Sequence, residues 1–310
     1  MTVSLILSPL QSIARIRQFL DRDIFDGVFQ QDVPLQVLAE RFIKKAVEDK
    51  LDVQLEKLAL LVGGRLDWDS NYFGFPCYRI NYFRDIGAEQ PQRSMEEYYA
   101  AKGAKLGVIR VPTISPINSS LSRSVRFTLC ARKVVFRKEI PKPFPAHHQG
   151  QFCLTRLSET RASRTKKFES IRYGIRGKFG KNRFSRDKAF TTREVEGIYF
   201  EWLKGAIIER PDSVFTLTDQ SGEDLAICAI REDRAITSEV VFLDLILTLS
   251  HGGGYGNHLL KMVERELSLN GKRVLIAIAD NENVEAVRLY ERNGFHKLTL
   301  LDEYHYWSQL

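Results

Sequence analysis

One stretch of the chain, residues 240–295, combines strand, glycine-turn and helix signals in a fixed order. Residues 240–249 form an apolar run with one acid, Asp244, and predict a strand; the segment Ser-His-Gly-Gly-Gly-Tyr-Gly follows. Residues 257–269 carry apolar side chains at helical spacing, and residues 274–279 predict a strand buried on both faces. Residues 283–293 predict a second helix, which a glycine ends. A glycine turn that opens a helix presents backbone N–H groups and a positive dipole end, so the order predicts an α/β fold with a phosphate-binding loop.

Two motifs in this stretch resemble those of the acyl-CoA-dependent N-acetyltransferases, the GNAT superfamily. The superfamily's pyrophosphate loop, Gln/Arg-x-x-Gly-x-Gly/Ala, maps to His251, Gly254 and Gly256, with histidine in the first place. The last-helix pattern Asn-x-x-Ala-x-x-Leu-Tyr-x-x-x-Gly-Phe is matched at Asn283, Ala286, Leu289, Tyr290, Gly294 and Phe295. The resemblance implies an α/β (α+β) fold whose mixed central sheet contains two splayed strands, and it implies acetyl-CoA as co-substrate.

The resemblance also implies where acetyl-CoA is held. The pantetheine arm would pair with backbone near Leu247 and Leu249, whose N–H groups would polarise the thioester carbonyl. Asn283 would bond the pantetheine or cap its own helix. The full set of expected cofactor contacts is Leu247, Leu249, His251, Gly252, Gly253, Gly254, Tyr255, Gly256, Asn257, Asn283 and Ala286.

Two residues are candidates for the chemistry itself. By analogy with the superfamily, Tyr290 would protonate the departing thiolate, and the alternative is that its ring only packs in the core. Asp244 and His251 are the candidate general bases, and release of the amine proton to water is the alternative to both. No residue is expected to hold a metal ion.

Residues 66–310 further resemble the TDP-fucosamine (TDP-4-amino-4,6-dideoxygalactose) N-acetyltransferases of bacterial surface-polysaccharide synthesis. The matches are the segment Trp-Asp-Ser-Asn-Tyr-Phe-Gly at 68–74, then Arg183 with the following phenylalanine, and Tyr199 with Trp202 on one helix. The acceptor implied is a dTDP-linked 4-amino-deoxysugar, with Arg183, Tyr199 and Trp202 at its site, although the two aromatic residues also suit a core. The alternative acceptor is a protein or small-molecule amine, and a non-catalytic binding module is a third hypothesis.

Three regions are predicted along the chain. Residues 1–64 form a mainly helical extension of unknown role, with helices at 10–20, 34–49 and 53–62. Residues 65–140 form a small α/β domain that ends in a strand pair, and the proline-containing segment 141–150 forms a linker. Residues 151–310 form the acetyl-CoA-binding domain.

The net charge and the cysteine content indicate which classes of partner and which compartment to expect. The net charge of +7 arises largely between residues 156 and 188, where twelve basic residues meet three acids. This suits a polyanionic small molecule such as coenzyme A or a nucleotide sugar, since no nucleic-acid-binding module surrounds the charge. Four scattered cysteines favour reduced thiols over disulfides or a zinc site, and no apolar run suits a signal peptide or a bilayer span. A cytoplasmic protein without membrane partners is expected; the oligomeric state stays open, with a homodimer among the alternatives.

Overall fold

The computed structural model describes residues 52–55, 59–85, 91–142, 151–157, 164–175, 178, 182–232, 239–250 and 252–308. They belong to two compact units. The first unit ends at Arg132 and takes in the chain again from Leu300, whereas the second unit is Lys133–Thr299. The helices predicted at 10–20 and 34–49, and most of the predicted linker, lie outside the described residues.

The described part of the first unit is a mixed sheet with three helices. Its strands follow the order β1-β2-β3-β4-β11-β5, in which β3 and β4 are parallel while β1–β2, β2–β3 and β4–β11 are antiparallel. The elements are β1 (Asp52–Leu55), β2 (Ala59–Arg65), α1 (Asp67–Phe73), β3 (Cys77–Asp85), α2 (Pro91–Ala101), β4 (Leu106–Pro112), α3 (Ile117–Leu121), and parts of β5 (Phe127–Glu139) and β11 (His296–Trp307).

Aromatic packing dominates the core of this unit. Tyr98 and Tyr99 of α2 are buried, and the Tyr99 ring stacks on Tyr306 of β11 with centroids 4.9 Å apart. The Tyr99 hydroxyl donates to the carbonyl oxygen of Val108 at 2.8 Å. Gly107 of β4 lies directly beneath the Tyr99 ring, because a Cβ at that position would stand 2.6 Å from ring carbons.

Two sequence predictions for this region are wrong. The helix predicted at 53–62 is instead the hairpin of β1 and β2, in which Val53 faces Val62 and Leu55 faces Leu60. The apolar residues of β1 alternate with polar ones, and this period of two is the strand signal. The predicted strand pair at the end of the region is a single long strand, β5.

The second unit is a mixed sheet covered on both faces. Its strands follow the order β5-β10-β9-β8-β7-β6, with β9 and β10 parallel and the other neighbours antiparallel. In chain order the elements are β6 (Cys153–Arg156), α4 (Arg164–Ile175), α5 (Arg183–Arg186), α6 (Thr192–Glu209), β7 (Val214–Thr218), β8 (Asp224–Glu232), β9 (Val240–Thr248), α7 (Tyr255–Leu269), β10 (Val274–Asp280) and α8 (Val284–Arg292). The predicted strand–turn–helix–strand–helix order is therefore confirmed.

Each face of this sheet has its own apolar core. Helices α7 and α8 pack on one face through Leu259, Leu260 and Tyr290. Helices α4 and α6 cover the other through Ile171 and Leu203. Among the described residues, no helix combines the length and apolarity needed to cross a bilayer.

The division into units differs from the predicted one. The predicted catalytic domain ran from 151 to the C-terminus, but the chain from Leu300 belongs to the first unit. The reason is that Leu301–Trp307 pair with β4, while Tyr304 and Tyr306 enter the aromatic core of the first unit.

The contact beneath the Tyr99 ring gives a stability prediction. We expect Gly107→Ala to lower the free energy of unfolding by about 1–3 kcal/mol, because the added Cβ overpacks a buried site whose ring has little room to move. Gly256→Ala is the matched control, since its Cβ would meet nothing closer than 3.4 Å inside a helix. Urea unfolding of both variants measures the difference, and equal stabilities would contradict the packing described.

Candidate active site

Strands β9 and β10 run together only over their first halves. Their parallel pairing begins at Val274 with Val240 and ends at Ala277 with Leu243. Beyond that point β9 continues to Thr248 and β10 to Asp280 without pairing to each other. The predicted splay is therefore confirmed, and it leaves one edge of β9 open.

A bulge at Asp244 accompanies the splay. Ala229 of β8 pairs with Leu245 and Ile230 pairs with Leu243, so Asp244 is the additional residue. The extra residue shifts the alternation of side chains between the two faces of the sheet. Leu243 packs with the core under α7, whereas Leu245 and Leu247 pack with the core under α6.

The backbone N–H and C=O groups of β9 alternate in direction, and this decides which residues face the open edge. The N–H of Leu249 donates to the Leu225 carbonyl oxygen at 2.8 Å, toward β8. Successive residues of a strand point their N–H and C=O groups to opposite sides, so Ile246 and Thr248 direct theirs to the open edge. Leu247 and Leu249, the predicted backbone partners, therefore direct their N–H groups toward β8 and not toward the open edge.

The loop after β9 takes a conformation that glycine permits. Gly252 has a φ of 91° and Gly254, the N-cap of α7, a φ of 62°, and a Cβ at either would meet nothing within 4 Å. The Tyr255 ring lies over Gly253, where a Cβ would come within 2.2 Å of it. The loop thus opens space at the first turn of α7, which contains no acidic residue.

The first turn of α7 also lies beside α8. A Cβ on Gly256 would stand 3.4 Å from the Thr248 side chain and 3.6 Å from that of Leu289. Asn283 caps α8 by accepting a hydrogen bond from the Ala286 N–H at 3.1 Å, as one of its two predicted roles requires. These contacts bring the end of β9, the glycine loop and α8 around one space.

That space is a cleft of about 630 Å³. Of the predicted cofactor contacts, the cleft is lined by Leu247, Gly252, Gly254, Tyr255, Gly256, Asn257, Asn283 and Ala286. Its other lining residues are Lys178, Ile246, Thr248, Ser250, Lys261, Glu285, Arg288, Leu289 and Arg292. The sequence did not predict this second set, although helical spacing relates part of it to predicted contacts. Lys261 lies one turn after Asn257, and Leu289 lies about one turn after Ala286.

The cleft is electropositive. Among the residues that the structure describes, Lys178, Lys261, Arg288 and Arg292 line it against the single acid Glu285. The Lys178 ammonium donates to the carbonyl oxygen of Thr248, the residue whose backbone faces the open edge. Burial lowers the pKa of Lys178, and the Glu285 carboxylate partly offsets that effect. Such a surface favours an anionic ligand.

Tyr290 lies in the core under α7 and α8 and is not among the lining residues of the cleft. Its ring is 4% exposed and packs between Phe136 and Phe295, with centroids 5.2 and 5.3 Å away. Burial raises the pKa of its hydroxyl well above the ordinary value, and the neighbouring Cys228 raises it further. Cys228 pairs across the strands with Ile246, which lines the cleft. Burial also raises the pKa of the Cys228 thiol to about 12, which keeps that thiol neutral.

Asp244 does not have the surroundings of a free base. Its carboxylate accepts from Arg210 Nη2 at 3.1 Å and from Arg231 Nε at 3.4 Å. Its side chain is 15% exposed and does not line the cleft. The arrangement is that of an ion-paired acid that fixes the bulge. His251, the other candidate base, lies outside the described residues.

The residues predicted for the acceptor lie elsewhere in the second unit. Arg183 is buried on the short helix α5, with its guanidinium 4.3 Å from the Phe184 ring centroid. Tyr199 and Trp202 lie on α6 and pack against the core on that face. None of the three lines the cleft. Arg183 is buried, and Tyr199 and Trp202 are half-buried against the core under α6.

Comparison with known proteins gives the fold a name. No protein-family model and no curated protein matches the sequence. Among solved structures, a GCN5-related N-acetyltransferase from Sphaerobacter thermophilus superposes with a TM-score of 0.61 at 14% identity, covering 96% of this chain and 93% of the other. A glucosamine N-acetyltransferase region of a fungal multi-domain β-N-acetylglucosaminidase gives 0.59 at 9% identity, over 97% and 37% of the two chains.

A tandem GNAT protein from the clavulanic acid biosynthesis pathway gives a TM-score of 0.53 at 8% identity, with 98% of this chain and 97% of the other covered. At such low identities the likeness concerns the fold. The parted parallel strands, the glycine loop and the mixed sheet agree with it. The chain has the fold of the GCN5-related N-acetyltransferases.

Proposed function

We propose that the protein is an N-acetyltransferase that uses acetyl-CoA. The observation that carries the proposal is the open edge of β9, which leads directly to the glycine loop at the start of α7. The pantetheine arm of CoA contains amide groups, so it can form hydrogen bonds with the backbone at an open strand edge, as extended peptides do. A diphosphate at the far end of that arm would then meet the N-terminus of α7.

The residues of the cleft fit such a ligand. The first N–H groups of a helix have no acceptor within the helix and favour anions together with the dipole. Gly252 and Gly254 leave the backbone accessible from the cleft, since no side chain stands over it. Four basic side chains add attraction for phosphate.

The chemistry needs a polarised carbonyl and a proton for the leaving thiolate. Backbone N–H groups of β9 that face the open edge suit the first task, which commonly contributes a few kcal/mol. Tyr290 suits the second, because its raised pKa keeps the hydroxyl protonated and its neighbour Cys228 faces the cleft-lining Ile246. Asp244 is occupied by two arginines, so we propose that the amine loses its proton to water.

For the acceptor we propose a dTDP-linked 4-amino-deoxysugar. The segment at 68–74 supports this through its resemblance to the TDP-fucosamine N-acetyltransferases. The similar fungal region is named for glucosamine, so an amino sugar has a precedent on this fold. A protein or small-molecule amine is the second candidate. The packing of Tyr199 and Trp202 on α6 removes one argument for the sugar and leaves this alternative open.

A thiol-release assay tests the proposal. The protein with acetyl-CoA is offered dTDP- and UDP-linked 4-amino-deoxysugars, free glucosamine, and peptides with free N-terminal or lysine amines. We expect acceptor-dependent CoA release that is fastest with a dTDP-linked 4-amino sugar. Release of CoA with peptides alone would show that the acceptor is a protein amine and not an amino sugar. No release with any amine would contradict the activity.

The loop gives a prediction with a matched control. Gly254→Ala places a methyl group at the mouth of the loop, so we expect the affinity for CoA to fall at least about 10-fold, the loss of one charge-assisted contact. Gly271→Ala is the control, because Gly271 has a similar φ of 76° and open surroundings, but lies beyond the C-terminal end of α7. Both should lose similar stability through the left-handed backbone. Equal CoA affinities in the two variants would contradict a phosphate site at the loop.

Tyr290 gives a second prediction. Tyr290→Phe keeps the ring packed against Phe136 and Phe295, so we expect normal folding and CoA binding. If the hydroxyl is the proton donor, kcat should fall by about 10²-fold. Tyr304→Phe, another buried tyrosine, is the control and should keep its kcat. A Tyr290→Phe variant with full turnover would remove the hydroxyl from the mechanism.

A further inference from the structure

The first unit repeats the parted strands of the candidate active site. The parallel strands β3 and β4 pair from Cys77 with Leu106 to Ile80 with Ile109, and then continue without pairing to each other. Directly after Ile80 comes a bulge, in which Asn81 is the additional residue of β3 opposite β2. In the second unit the bulge likewise follows the last residue of β9 that pairs with β10. The same two irregularities therefore occur at the same step of both sheets.

The elements that follow the parted strands also correspond. Leu106 of β4 and Val274 of β10, which begin the two parallel pairings, lie 168 residues apart. At the same spacing, Leu121 of α3 corresponds to Leu289 of α8. In both units a helix joins the parallel strands, α2 or α7, and a long strand follows the last helix, β5 or β11. The two units therefore have the same order of elements.

The two long strands are exchanged between the units. Strand β5 begins in the first unit, but its second half pairs with β10, where Glu139 faces Val274. Strand β11 begins in the second unit, but its second half pairs with β4, where Trp307 faces Leu106. Glu139 and Trp307 are themselves 168 residues apart, so both pairings have the same register.

Aromatic side chains of the long strands follow this exchange. Phe127, at the start of β5, packs in the core of the first unit. Phe136, further along β5, packs in the core of the second unit against Tyr290, with ring centroids 5.2 Å apart. Conversely, Phe295 before β11 packs in the second unit, and Tyr304 of β11 packs in the first. The strand that holds the ring of the proposed proton donor therefore follows α3, the last helix of the first unit.

Hydrogen bonds between α2 and α3 close the part of the first unit that corresponds to the cleft. Ser120 and Ser124 of α3 occupy the places of the two α8 arginines that line the cleft. Ser120 Oγ donates to Gln92 Oε1, and Ser124 Oγ donates to Glu96 Oε1 at 2.9 Å. Gln92 is the second residue of α2, as Gly256 is of α7. Polar side chains therefore join the helices where the second unit has an open space.

Two further positions of α3 differ from those of α8. Leu289 lines the cleft, whereas its counterpart Leu121 is fully buried. Ser122 stands in the place of Tyr290, and its hydroxyl donates to the carbonyl oxygen of Ser119 at 3.3 Å. A buried leucine leaves no space for a cofactor at that point, and a serine does not supply the phenol that the proposed mechanism uses.

We infer that the chain contains two copies of one fold with exchanged final strands, and that only the second copy binds CoA. The first copy keeps the parted strands, but its cofactor space is closed. Its contribution to the site is the strand beside β10. An exchange of identical elements of this kind is known between the subunits of dimers, and here it occurs within one chain. The part that concerns CoA rests on the proposed function.

Calorimetric titration of the full chain with CoA tests the closed copy. We expect one CoA per chain, and two per chain would overturn the closure. Ser122→Ala is the counterpart of Tyr290→Phe and should keep kcat, whereas a fall of about 10-fold or more would make the first copy a working site and overturn the inference. Absence of CoA binding would overturn the proposed function and the single CoA site with it, but would leave the exchange of strands to the next experiment.

Amide NMR spectra of two variants of the full chain test the exchange without CoA. An aromatic ring shifts the resonances of the nuclei packed against it, so its loss marks its neighbours. Phe136→Leu should shift the amides of β10 and α8, in the second unit. Phe127→Leu is the matched control from the same strand, and it should shift the amides of α2 and of the second half of β11, in the first unit. Leucine keeps both sites apolar, so both variants should fold. Shifts confined to the first unit in both variants would overturn the exchange.

Discussion

The parting of β9 from β10 after Leu243 and Ala277 is the constraint on which the rest of the site depends. An interior strand that loses its neighbour leaves backbone groups without partners, which is costly unless something compensates. Two acids lie where the strands diverge. Asp244 is held by Arg210 and Arg231, and Asp280 is held by a bidentate pair of hydrogen bonds from Arg186, each 3.1 Å long.

Packing on both faces keeps the parted strands from closing. The bulge at Asp244 sends Leu245 and Leu247 into the core under α6, whereas Leu243 stays in the core under α7. A one-residue shift of β9 to restore pairing would exchange these faces and expose apolar side chains. The cleft is therefore a property of the folded sheet. The glycine loop and four basic side chains line that cleft.

The sequence predicted the second unit well and the first less well. The run from Val240 to Phe295 combines long periodic segments with glycine stops, and local chemistry of this kind determines where elements begin and end. The first unit depends instead on pairing between distant segments. The aromatic residues of β11 join α2 and β4 across some two hundred residues, and no local pattern reports such a pairing. Residues 53–62 were predicted as a helix because the spacing of their apolar residues fits both a helical period and a strand period of two.

Within the site, motif positions were predictable and three-dimensional neighbours were not. Gly254, Gly256 and Asn283 line the cleft as the motif predicted, because the motif specifies local features of the chain, the start of α7 and the side-chain cap of α8. Lys178 comes from a different part of the chain, so only the fold brings it to Thr248. The exchange of Leu247 and Leu249 for Ile246 and Thr248 depends on which neighbour β9 keeps, and that is a property of the sheet.

Amide hydrogen exchange resolved by residue, with and without CoA, tests the central claim most directly. If the open edge of β9 takes the pantetheine arm, CoA should slow exchange at alternate residues. Ile246 and Thr248 should gain protection together with the first turn of α7, while Leu249, already bonded to Leu225, should change little. Protection that is absent from β9, or that is equal at Leu249 and Thr248, would contradict the account.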